Sequence, residues 1–314
     1  MLVVTGGCGM IGSNLVAALN RRGADDILIV DNLQDGAKFR NVAGLRIADY
    51  EDRERFMARL HSGKLPPIEA IFHQGACTDT TESDGRLMME LNYASSRDLL
   101  DYALAHRIPF VYASSASVYG LSEDTSEEAS NEMPLNVYAY SKKLFDDRVR
   151  SLLGAAASPV VGLRYFNVYG PREDHKGKMS SVALRLYQQI RAGEKATIFG
   201  AHGGVGPGEQ RRDFVHVEDV AATIAWVYER AISGIYNCGT GTNWSFRELA
   251  EAVIAELGRG EITFQPFPES LSGKYQSFTR ADMSRLRAVG FDLTFRDLRQ
   301  GIRDYVQWLN QGEH

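Results

Sequence analysis

Three glycines, Gly6, Gly9 and Gly12, stand three residues apart between a short apolar run, Leu2-Val-Val-Thr, and a helix-forming stretch that opens Ser13-Asn-Leu-Val. The spacing prescribes a strand, a tight turn and a helix whose first amide groups converge on an anion. Gly6 allows the turn, Gly9 lets backbone approach a pyrophosphate, and Gly12 lets the helix pack on the strand. A second apolar run, Ile27-Leu-Ile-Val, ends in Asp31, 19 positions after Gly12, where a carboxylate can bind a ribose diol. Together they predict a dinucleotide site, against the plainer reading of a structural strand-turn-helix.

Short β-branched runs at 45–48, 70–72, 108–113 and 159–164 alternate with helical patterns at 84–106 and 137–153. Repeated β-α units of this kind predict a doubly wound, Rossmann-like parallel sheet with ligands at the strands' carboxyl ends. The residues at those ends are small or polar: His73-Gln-Gly-Ala-Cys, Ser114-Ser-Ala-Ser-Val-Tyr-Gly and Tyr165-Phe-Asn-Val-Tyr-Gly-Pro. Past Pro171 the rhythm changes, with a basic segment at 172–178, a helix at 180–192, a glycine-rich loop at 200–208 read as a tolerated insertion rather than the alternative of a flexible substrate lid, and a closing amphipathic helix at 295–309. The chain of 314 residues is long enough for two domains. A dinucleotide-binding domain is expected over 1–166, joined by parts of 212–240, and a smaller α/β substrate domain over 167–211 and 241–314.

A net charge of -5 gives no reason to expect nucleic acid or an anionic membrane as partner. No basic leader opens the chain and no apolar stretch approaches ~18 residues, so a cytoplasmic protein is expected. The three cysteines, Cys8, Cys77 and Cys238, and the seven histidines lack metal-ligand spacing, so neither a disulfide framework nor a metal is expected. His73 reads as a cleft-wall or packing residue.

The catalytic candidates are Tyr138 and Lys142, one helical turn apart on the same face. A phenol is a poor base at neutral pH, but a cation one turn away favours the phenolate. Chance alone supplies roughly 0.4 Tyr-x-x-x-Lys pairs in a chain of this composition. Position is what distinguishes this one: a hydroxyl at the strand end, Ser115, can bond the oxygen that Tyr138 deprotonates. Tyr140 is a rival phenol, but its own i+4 residue is Leu144, so it is assigned to packing. Arg212 is the candidate diphosphate ligand through paired guanidinium hydrogen bonds, the alternative being an ion pair with Asp213 or Glu218.

The glycine turn, Ser115, Tyr138 with Lys142, Arg164-Tyr-Phe-Asn-Val-Tyr-Gly-Pro and Arg212-Asp-Phe-Val-His-Val-Glu-Asp-Val resemble the extended short-chain dehydrogenase/reductases that act on nucleotide sugars. Further strings, Asp31-Asn-Leu-Gln-Asp-Gly-Ala-Lys-Phe, His73-Gln-Gly-Ala-Cys-Thr, Pro134-Leu-Asn-Val-Tyr, Gly170-Pro-Arg-Glu-Asp-His-Lys-Gly and Gly273-Lys-Tyr-Gln-Ser-Phe-Thr, are similar to the branch that epimerises C6 of ADP-heptose. The resemblance implies transient oxidation to a ketone and return of hydride to the opposite face, with Tyr138 and Lys176 as the two acid/base groups. Taken from its residue type alone, Lys176 would be an exposed loop lysine. The resemblance also implies cofactor contacts from Met10, Ile11, Asn32, Gln74, Gly75, Ala76, Cys77, Thr78, Asn92, Lys142, Val168 and Lys176. For the substrate it implies Ser115, Asn167, Lys178, Arg185, Phe199, Gly200, Ala201, His202 and Tyr275 beside Arg212.

Asp31 suits the free diol of NAD, whereas the resemblance implies NADP, with Lys38 and Arg53 supplying compensating charge. Homo-oligomeric, pentameric assembly and a role in lipopolysaccharide core synthesis are likewise implications of the resemblance. Dehydratases of the family carry an Asp-Glu pair after the serine strand; here Ala116 and Ser117 stand there and can do no such work. A nucleotide-sugar 4-epimerase remains open, and so does a non-catalytic dinucleotide sensor, though the full Ser115, Tyr138 and Lys142 set speaks against the sensor.

Overall fold

Residues 1–269 and 275–312 are described from a computed structural model. Gly273 and Lys274 of the last string above lie outside the described residues. In chain order the elements are β1 (Leu2–Thr5), α1 (Met10–Arg21), β2 (Ile27–Asp31), β3 (Asp49–Asp52), α2 (Arg53–His61), β4 (Ala70–His73), α3 (Gly85–Met88), α4 (Ser95–Ala105), β5 (Phe110–Ser115), α5 (Val137–Leu152), β6 (Val160–Tyr165) and β7 (Asn167–Tyr169). They continue as α6 (Val182–Arg191), β8 (Ala196–Phe199), β9 (Arg211–Arg212), β10 (Phe214–His216), α7 (Val217–Glu229), β11 (Gly234–Cys238), β12 (Trp244–Ser245), α8 (Phe246–Leu257), β13 (Ile262–Gln265), α9 (Ser284–Ala288) and α10 (Leu298–Gln311).

Seven of these strands form one parallel sheet in the order β11-β6-β5-β4-β1-β2-β3. Strand order reverses between β1 and β4, so the crevice for a ligand opens at the carboxyl ends of those two strands. One apolar cluster lies on each face of the sheet. Leu15, Val16, Ile29, Phe72, Val215 and Ile224 belong to the first, and Val3, Leu28, Phe56, Leu100, Phe110 and Phe145 to the second. Side chains alternate between them along each strand, as a sheet buried on both sides requires. A third cluster, with Leu184, Ile198, Phe214, Leu249, Val253, Ile302 and Val306, gathers α6, α8 and α10 around the β8–β13 pair.

Two boundaries differ from expectation. The segment 45–48 is not a strand; the third strand is β3, four residues later. As the sheet's edge it pairs only with β2, and only Glu51 of its four residues is buried, so it carries no apolar pattern to read. The first helix begins at Met10, so Gly12 sits inside its first turn. The expected helix at 84–106 is continuous but contains a wider π turn at Met89–Ala94. That turn aims the Asn92 amide at the loop after β4, where it exchanges hydrogen bonds with Cys77 N–H (2.8 Å) and C=O (3.0 Å).

Candidate active site

The end of β5 and the first turns of α5 bring the chemistry together. Asn136 caps α5 by accepting from Ala139 N–H at 2.8 Å, which sets the helix start at Val137. Tyr138 then lies in the first turn, half-buried, and hydrogen-bonds the Ser115 side chain. One turn on, the buried Lys142 ammonium donates to the Ala113 carbonyl at 2.8 Å. Its pKa is pushed down to about 8 by burial, against an opposing pull from Asp146.

The expectation that Lys142 depresses the Tyr138 phenol is not met. Burial pushes that phenol up, the Ser115 hydrogen bond pulls it down, and the Cys77 thiol adds a further upward push. Tyr140, expected to pack, instead points outward and is 48% exposed. His73 is a packing residue: it is buried, its ring nitrogens lie 2.6 Å from Thr5 Oγ1 and 2.7 Å from Ser96 Oγ, and burial pushes its pKa down to about 3. Cys8 and Cys238 are buried thiols pushed up to about 12, chiefly by burial.

A cleft of about 720 Å³ runs from these residues to the α6–β8 side of the molecule. Ser115, Tyr138, Lys142, Ile11, Gln74, Ala76, Thr78, Asn167, Val168, Lys176, Lys178, Arg185, Phe199, Arg212 and Tyr275 all line it. Three expected substrate residues do not: Gly200, Ala201 and His202 lie just beyond β8, with the His202 ring stacked on Phe267 at 3.7 Å. The 200–208 loop turns back on itself there through a His202–Val205 bridge and is tied by Gly208 N–H to the Phe199 carbonyl. Lys176 sits in a 3-10 segment, Asp174–Met179, and is partly buried at the cleft wall rather than exposed. Lys178, by contrast, pairs with Asp79 at 3.0 Å.

Arg212 is the unusual group. It is 6% exposed, and its guanidinium donates to the Arg211 carbonyl and lies against the rings of Tyr275 (4.7 Å) and Phe246 (5.7 Å). Neither expected partner reaches it. Asp213 accepts from Thr240, Gly241 and Ala281, while Glu218 pairs with Arg296 and Arg21. Among the described residues no carboxylate forms an ion pair with Arg212, and burial pushes its pKa down. A buried, uncompensated cation facing a cleft is a site for an anion. Sequence reasoning missed Phe246, Gln265, Gln189 and Tyr165 as cleft residues. Only Tyr165 carried a signal, its place at the end of a predicted strand.

The residues around the glycine turn fit a dinucleotide. Gly6 has φ +65°, and a Cβ there would lie 2.6 Å from Gly75 backbone; a Cβ on Gly12 would lie 2.2 Å from the Gly6 carbonyl oxygen. Gly9, in contrast, would meet only the Gly6 oxygen, at 3.2 Å, so its missing side chain leaves the opening beside Met10 clear. Asp31 ends β2 with Oδ2 accepting from Cys8 N–H (2.9 Å) and Oδ1 from Asn32 N–H and Lys38 Nζ (both 2.8 Å). Arg53 follows Asp52, which stands opposite Asp31 in the β2–β3 register. Gln74 uses its Oε1 to accept from Tyr165 OH at 2.7 Å, and its buried Nε2 has no protein partner. Replacing Gly12 with alanine forces backbone against backbone and is expected to cost about 2 kcal/mol. A differential scan checks it: the midpoint should fall by roughly 3 °C.

A switch-point glycine turn, a carboxylate paired with Lys38 at the end of the second strand, and Ser115, Tyr138 and Lys142 on the cleft wall fit a bound dinucleotide beside a second ligand. The sequence matches the NAD dependent epimerase/dehydratase family over residues 2–239, and the protein belongs to that family. Among solved structures it is similar to the ADP-L-glycero-D-manno-heptose-6-epimerase of Helicobacter pylori, with 30% identity over 98% of this chain and 96% of that one and a TM-score of 0.86. It is also similar to the UDP-N-acetylglucosamine 4-epimerase of Methanobrevibacter ruminantium (26% identity, 99% and 98% covered, TM-score 0.85). The UDP-glucose 4-epimerase of Thermus thermophilus, solved with NAD, follows at 28% identity, 98% of both chains and a TM-score of 0.81. No helix among the described residues is long and apolar enough to cross a membrane.

Proposed function

We propose that the protein is a nucleotide-sugar epimerase that inverts C6 of ADP-D-glycero-D-manno-heptose to give the L-glycero epimer. The observation that carries a nucleotide-sugar reading is Arg212, a buried cation with no carboxylate partner among the described residues, on the wall of the same cleft as Tyr138. A diphosphate satisfies it. The heptose assignment draws on the strings of sequence that resemble the 6-epimerase branch and on the likeness to the Helicobacter pylori enzyme. The likeness to two 4-epimerases supports inversion at C4 of another nucleotide sugar as the second reading.

In the proposed reaction Ser115 and Tyr138 bind the C6 hydroxyl, and Tyr138, ionised to phenolate, takes its proton as the ketone forms. A nicotinamide dinucleotide held by the Gly6–Gly12 turn and Asp31 would supply reversible hydride acceptance, so that no net oxidation occurs. Lys176, from a different segment of the cleft wall, exchanges the proton when the ketone presents its other face. Two proton-transfer groups spare a single base from crossing the sugar plane. Arg212 holds the diphosphate while the heptose turns. Substrate carrying deuterium at C6 tests this: the label should remain at C6 of the L-glycero product, and its loss to water would rule out internal hydride return.

We also propose NADP as the preferred cofactor. Lys38 pairs with Asp31 at 2.8 Å, which offsets the carboxylate that would repel a 2′-phosphate, and Arg53, paired with Glu54 at 3.7 Å, follows Asp52 at the same end of the sheet. Replacing Lys38 with methionine is expected to lower the NADP:NAD affinity ratio by about 10-fold to 100-fold. Titrations with both cofactors read the ratio directly, and an unchanged ratio would mean that Lys38 serves Asp31 alone.

A further inference from the structure

The largest fully buried side chain in the described protein is a charged one, Arg164 at the end of β6. Its Nε donates to Asp146 Oδ2 at 2.9 Å, its Nη1 to Tyr119 OH at 3.0 Å, and its remaining nitrogen to Glu132. Asp146 is itself fully buried and saturated: Oδ1 accepts from Tyr112 OH (2.8 Å), and Oδ2 accepts from Ser114 Oγ (2.9 Å) as well as from Arg164. None of these groups lies in the part of the cleft where the proposed reaction occurs, apart from Ser114 at its edge. Arrays of this kind are costly, and apolar side chains of similar volume commonly serve stability as well or better.

The arrangement along α5 points to what the array does. Tyr138, Lys142 and Asp146 are each four residues apart and share one helix face. Each grips the end of β5: Tyr138 bonds Ser115, Lys142 bonds the Ala113 carbonyl, and Asp146 bonds Ser114 and Tyr112. We propose that Asp146, clamped by Tyr112, Ser114 and Arg164, is a positioning residue that fixes α5 against β5 and β6 and supplies the counter-charge for Lys142. This rests on the reading of Tyr138 and Lys142 as the working pair.

The surroundings of Lys142 leave that task to Asp146. On α5 it is flanked by Tyr138 and Asp146, and on β5 it meets the neutral Ala113 carbonyl. On β4 it faces His73, held neutral between Thr5 and Ser96. Among the described residues Asp146 is the one acidic group acting on it, and the acid's pull opposes the burial that takes the lysine down to about 8. The ammonium is present below that pH and lost above it. Removing the aspartate charge moves the loss to lower pH.

The test is carbon-13 NMR of protein labelled at lysine Cε, with the Lys142 signal assigned by its absence in Lys142→Met. The wild-type midpoint should fall near 8. Asp146→Asn should lower it by about one pH unit or more. Tyr112→Phe, which removes one hydrogen bond but leaves the charge, should leave it in place. An unchanged midpoint in folded Asp146→Asn protein would overturn the proposal. If that variant fails to fold, the wild-type value decides: a midpoint below 7 would show that Asp146 does not offset burial, and one near 8 supports the role. Turnover of nucleotide sugar is measured in parallel. A shifted midpoint with no turnover in the wild type would sink the catalytic reading and leave the Asp146–Lys142 coupling standing; the reverse pattern would sink only the coupling.

Discussion

Tyr138→Phe protein should fold, hold its cofactor and convert substrate about 10³-fold more slowly than the wild type. The argument is local. The phenol is half-buried, its hydroxyl bonds Ser115, and the substitution removes one oxygen without emptying the space its ring fills. Fold and cofactor binding should therefore survive, and the loss should appear in kcat, since proton transfer is a transition-state contribution. The pH profile carries the sign. Burial raises the phenol, so its anion forms only in small part near neutrality, and Lys142, which grips the strand end beside it through the Ala113 carbonyl, loses its charge as pH rises through about 8. Activity should consequently decline on the alkaline side. A Tyr138→Phe enzyme within tenfold of wild type would move the chemistry to Lys176 or another group.

Arg212→Met should separate function from stability. Substrate affinity and kcat/KM are expected to fall about 100-fold, because charge-assisted hydrogen bonds to a diphosphate are among the stronger ones a side chain makes. The substrate-free protein should instead gain about 1 kcal/mol, or roughly 2 °C in its melting midpoint, since an unpaired cation leaves a buried site. The contacts with Tyr275 and Phe246 hold that gain to a small value. Opposite signs in the two measurements mark a group kept for binding. A melting midpoint that falls by several degrees would show that Arg212 is structural.

Much of this was legible in sequence where chemistry and local geometry coincide. The turn at Gly6, Gly9 and Gly12, the strand ending at Asp31 and the helix start at Val137 are each specified within a dozen residues, and each stands where it was expected to within a few positions. Legibility failed where the determinant is a distant neighbour. The edge strand β3 takes its register from β2, not from its own polar residues. Tyr140 is exposed although its helix is amphipathic, because the faces of α5 toward β5 are taken by Tyr138, Lys142 and Asp146. The isolation of Arg212 depends on Asp213 and Glu218 having other partners, 27 and 78 residues away in chain for Thr240 and Arg296. No spacing rule reveals that. Phe246 and Gln265 reach the cleft only because α8 and β13 pack beside α6 and β8.

The most direct test is a proton NMR time course of the purified protein with ADP-D-glycero-D-manno-heptose and no external reductant. Growth of the L-glycero epimer at constant total sugar is the predicted result. Unchanged ADP-heptose, alongside inversion of a UDP-hexose at C4 by the same preparation, would contradict the C6 assignment.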